Sequence, residues 1–181
     1  MDGLIPDFQV FTSSLEPVDT KSGHPLFPNL PEATDDMPIL TAVASSTEQD
    51  LQGDTMAVTA LMDMCEVPIG QSVFLNHNYT LPDSYFGKTV TSPVLLSESG
   101  VTDLHTAYGV FIDPDNKNHP AHKTYDQITK FGARHGVSGG FMITQYSYDG
   151  DTDDWFAPII IERVRKLEDS IVGIPACWKE V

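Results

Sequence analysis

"DLHTAYGVFID", residues 103–113, alternates strictly and decides the fold class of the chain around it. Leu104, Thr106, Tyr108, Val110 and Ile112 share one parity; His105, Ala107, Gly109 and Phe111 share the other. A period of two is the mark of a β-strand whose two faces meet different surroundings. Upstream, "PILTAVA" (38–44), "GQSVFL" (70–75) and "SPVLLS" (92–97) are short apolar runs bounded by turn residues, and they read as further strands. "QDLQGDT" (49–55) is a turn-rich joint, while "MAVTALMDM" (56–64) fits a helix or a strand. Downstream, "AHKTYDQITKFGARHG" (121–136) sets Tyr125, Ile128, Phe131 and Gly132 at helical spacing, with Gly136 as the expected stop. "VSGGFMITQYS" (137–147), "APIIIERVRKL" (157–167) and "DSIVGIPA" (169–176) return to strand character. The expected fold is α+β, a β-rich barrel with a few helices.

Residues 1–36 differ from the rest. They hold five prolines, at 6, 17, 25, 28 and 31, and seven acids against one lysine, with no sustained periodicity. The segment reads as an extended or mobile N-terminal arm, with an ordered wrap over the core as the alternative, and residues 37–181 as the folded domain. A length of 181 residues suits one such domain, and a hydrophobic content of 40% supplies its core. The formal net charge of -16 argues against nucleic acid as a partner, because phosphate repels an acidic surface. Two cysteines, Cys65 and Cys177, make no disulfide framework, and a reduced intracellular setting follows as an expectation. "MDGLIPDF" is acidic and has no long apolar run, so neither a secretory signal nor a membrane span is expected.

Two positions stand out chemically. Ser138, in "ARHGVSGGF" (133–141), has Gly136, Gly139 and Gly140 beside it, which remove side chains and let a second backbone approach. A helix-to-strand turn with bulge glycines is the plainer reading of that composition. A hydrolytic serine needs a proton acceptor, and histidine is the usual one. Of six histidines, His77 in "VFLNHNY" (73–79) follows an apolar strand directly, where a side chain is held firmly and still reaches a cleft.

"VFLNHNY", "LPDSYFGKT" with "SPVLL", "DLHTAYGVFIDPDN", "TYDQITKFGARHGVSGGF" and "RKLEDSIVGIPA" follow one another in an order and spacing that resemble the prohead maturation proteases of tailed bacteriophages. That family of serine peptidases is similar in fold to the herpesvirus capsid protease assemblin. The resemblance spans roughly residues 38–178 and leaves the arm outside. Carried over position by position, it implies His77 as base, Ser138 as nucleophile and Glu168 as the acid that orients the histidine. Asp169 and His105 stand as alternatives for that third role. The chain departs from the family pattern at Gly139, usually a bulkier aliphatic, and at Asp169, usually apolar.

The same resemblance implies a herpesvirus-protease-like fold and a serine endopeptidase without cofactor. Its peptide substrates would be segments of the scaffold and major capsid protein, and its own termini. It would work in the host cytoplasm, inside the assembling procapsid, with neither nucleic acid nor membrane as partner and a homo-oligomer among the expectations. An inactive capsid-associated scaffold or structural protein on that fold is the alternative.

Other clusters read more plainly. "DGDTDDW" (149–155) has acids in alternation but lacks the glycine and glutamate of a calcium loop, so a solvated acidic loop is expected. His119 and His122 read as polar residues leading into the helix, not as metal ligands. Met56, Met62 and Met64 are expected in the core, and His135 at the helix C-terminus.

Overall fold

The alternation at 103–113 becomes β8 (Val101–Val110), inside a ten-stranded sheet. The computed structural model describes residues 8–10, 15–50, 53–150 and 157–173. The sheet runs β1 (Phe8–Val10), β9 (Gly136–Tyr148), β10 (Ile159–Val172), β5 (Ser72–Leu75), β6 (Tyr85–Thr89), β8, β3 (Ile39–Ser46) and β2 (Glu16–Pro17). Off this path, β4 (Thr55–Met56) pairs with β10 and β7 (Val94–Glu98) with β8. All pairings are antiparallel except those of β10 with β4 and β5. No helix among the described residues is long and apolar enough to cross a membrane.

The molecule is mixed α/β and strand-rich, but its sheet is open, which corrects the expected barrel. Closure would need the two ends of the path to pair. They carry only a three-residue and a two-residue strand, and Pro17 has no amide hydrogen to donate. The sheet nevertheless curls enough to bring β3 against β9. Leu104, Thr106, Tyr108 and Val110 of β8 are buried within that curl, together with Leu40, Ala42 and Ala44 of β3.

The other face of β3 and β8 is covered as well. Ile39 and Ala107 are buried beneath Phe27, with Val18, Leu26, Leu30 and Ala33 packed around them. From Leu15 to Asp36 the arm therefore lies along the sheet, and a strand covered on both faces is why "PILTAVA" is mostly apolar, with Thr41 its one polar residue, instead of alternating.

"MAVTALMDM" divides between both expectations. Met56 ends β4, and α1 (Val58–Met64) packs on β10. Met56 and Met64 are buried as expected, but Met62 faces solvent at 56% exposure, because helical spacing turns it away from Met64. The second helix, α2 (Pro120–Phe131), starts at a cap in which His119 Nδ1 accepts the Ala121 amide. It stops at Gly132, whose φ of 64° suits glycine, and not at Gly136, which already opens β9. His135 lies beyond the helix end, so Lys130 supplies the last-turn cation instead.

Candidate active site

β9 and β10 run antiparallel with Ser138 opposite Ser170, Gly139 opposite Asp169 and Gly140 opposite Glu168. Directly paired residues lie on one face, so Ser138, Gly140, Glu168 and Ser170 share a face, while Gly139 and Asp169 share the other. The register shifts between Lys166 and Glu168, and the extra residue, Leu167, is half exposed. This bulge lets Lys166 and Asp169 turn to the same side although they are three apart. The Lys166 ammonium sits 2.8 Å from both carboxylate oxygens of Asp169, with both side chains buried. Tyr108 is nearby; burial first, then the Asp169 charge, push its hydroxyl well above the usual range and keep it neutral.

The opposite face holds the histidine. β5 pairs in parallel with the end of β10, and the Asn76 amide still reaches the Ile171 carbonyl at 3.0 Å. Asn76 and His77 then take left-handed conformations, with φ of 52° and 55°. Two such residues in succession are uncommon without glycine and turn the chain sharply out of the sheet. The turn sets His77 Nδ1 2.6 Å from Glu168 Oε1 across 91 positions of sequence. An ionised carboxylate only accepts, so Nδ1 carries the hydrogen and Nε2 is the basic nitrogen.

Ser170 ties the pieces together. Its hydroxyl donates to Glu168 Oε2 at 2.6 Å and accepts the His77 amide at 3.1 Å. Both carboxylate oxygens are thereby occupied, and histidine and acid are locked to one strand. The Glu168 side chain lies across Gly140, where a Cβ would overlap Oε1 and crowd Cδ at 3.1 Å. Phe74, opposite Ser170 on β5, meets Tyr79 and Tyr85 edge-on, and Tyr85 meets Phe111, making an aromatic wall beside the histidine turn.

The structure thus brings together His77 and Glu168 directly, and sets Ser138 one cross-strand pair from Glu168 on the same face. Ser138 is fully buried, and its Oγ has no hydrogen-bond partner among the described residues. Asp169 points to the other face. His105 lies on β8 between Val43 and Val94, where burial lowers its pKa against the pull of Asp103. Neither alternative meets the histidine. Pro175, Ala176 and Cys177 lie outside the described residues, as do residues 151–156 of the acidic loop. Among the described residues no cluster of His, Cys, Asp and Glu forms a metal site. The closing stretch "RKLEDSIVGIPA" includes Ser170, two residues after the acid, but sequence reading gave it no role. Comparison with protein-family models, curated proteins and solved structures finds no match.

Proposed function

We propose that this chain is a serine endopeptidase in which Ser138 is the nucleophile, His77 the general base and Glu168 the orienting carboxylate. The observation that carries this reading is the His77–Glu168 contact of 2.6 Å, fixed by Ser170 on the strand face that also bears Ser138. Ser138 Oγ attacks the scissile carbonyl carbon while its proton passes to His77 Nε2, giving a tetrahedral oxyanion. Collapse returns that proton to the leaving amine and leaves an acyl-enzyme, which water then hydrolyses by the same route. Glu168 holds the tautomer and stabilises the imidazolium. Such contacts often tighten only when a substrate is bound, so the unpartnered Ser138 hydroxyl is compatible with this role.

The motif order resembling the prohead proteases supports the finer reading. On it, the fold is herpesvirus-protease-like, and extended segments of scaffold and major capsid protein are cleaved in the host cytoplasm, inside an assembling procapsid. The full burial of Ser138 favours a second reading, an inactive shell component on the same fold. A fluorophosphonate probe separates the two. The first expects labelling of the wild type and none of Ser138→Ala, whereas an unlabelled wild type, under conditions that leave β9 accessible, supports the second.

A further inference from the structure

We infer that the outer edge of β9 is a docking edge for an extended peptide, and that β1, from the arm of this same chain, is its resident occupant. β10 takes the inner edge of β9 along nearly its whole length. On the outer edge β1 runs antiparallel, with Phe8 opposite Gly140, Gln9 opposite Gly139 and Val10 opposite Ser138. Farther along, the Leu15 amide donates to the His135 carbonyl at 3.3 Å, just before the start of β9. β9 has thirteen residues, and the three that β1 pairs with are Ser138 and its two following glycines. Ser138 is fully buried and its hydroxyl unpartnered while strands flank it on both sides.

An unpaired strand edge is a template for another extended backbone, and pairing with it is a common way to hold a peptide. β1 pairs over only three residues, the short end of strand lengths, so few ladder hydrogen bonds hold it on the edge. A peptide that is to reach Ser138 in extended form therefore replaces β1, and the arm acts as a removable cap on the nucleophile strand. As a statement about regulation this rests on the endopeptidase reading; as a statement about docking it does not.

The test uses the full chain carrying Gln9→Pro and Val10→Pro, which removes amide donors from β1, with Gln9→Pro alone as the milder variant should the double one fold poorly. Fluorophosphonate labelling of Ser138 is expected to quicken at least about tenfold as the uncapped population rises. A synthetic peptide of residues 1–14 added in trans should slow it again. Amide hydrogen exchange at residues 138–140 is followed in parallel: slow in the wild type, faster in the variants, slow again with the peptide. Equal exchange in wild type and variants, or no response to the peptide, overturns the docking edge. Should exchange behave as expected while Ser138 labels in no form, the docking edge stands and the endopeptidase reading falls.

Discussion

Gly140 shows how one atom constrains the site. Its missing Cβ leaves the space in which the Glu168 carboxylate lies, between His77 Nδ1 and the Ser170 hydroxyl. On the proposed endopeptidase reading, Gly140→Ala should push the carboxylate aside and rotate the imidazole, lowering kcat about ten- to a hundredfold with little change in KM, since misplacement of about an ångström costs that much. Peptide-hydrolysis kinetics on a model substrate checks it; an unchanged kcat would remove Glu168 from the orienting role. Glycines beside the serine read in sequence as room for an incoming backbone, yet for Gly140 the neighbour is this carboxylate. That difference is invisible locally, because Glu168 is 28 positions away.

At the scale of elements, the bulge at Leu167 decides which of two adjacent carboxylates Lys166 meets. Glu168 faces the histidine, and Asp169 pairs with Lys166 on the buried side. Removing one partner of a buried ion pair leaves the other charge uncompensated and costs about 3–5 kcal/mol. Lys166→Met is therefore expected to lower unfolding free energy by that order in chemical denaturation, and Lys166→Met with Asp169→Leu to recover most of it. A loss that the double variant does not recover would show that the pair itself stabilises the strand. Elsewhere on β10, Arg163 forks onto Asp63 of α1 at 2.7 and 2.8 Å and holds that carboxyl below its ordinary range. Helix α2 and the alternation of β8 were legible from sequence because their periods are local. The bulge was not, since it exists only relative to the strand opposite.

For the whole molecule, two histidines set a pH dependence. Burial lowers the pKa of both His105, which faces Asp103 and His24, and His135. As pH falls through 6.5, the ordinary imidazole value, the unfolded chain takes up protons that the folded chain refuses. The stability these neutral rings contribute is complete above that value and declines toward their lowered folded values. Thermal unfolding at about pH 5.5 and about pH 7.5 should show a lower Tm in acid, and His105→Gln with His135→Gln should narrow the gap. Equal gaps would assign the acid sensitivity to other groups.

The chain by itself determined the strand-rich character, a helix within 121–136 and a serine and a histidine suited to hydrolysis, because periodicity and side-chain chemistry are local properties. Only the tertiary structure decided that the sheet stays open, which acid meets His77, that Ser170 joins them, and that β1 pairs with the Ser138 strand. Each of these is a pairing between distant segments, and backbone hydrogen bonds that form pairings carry no side-chain signature along the chain.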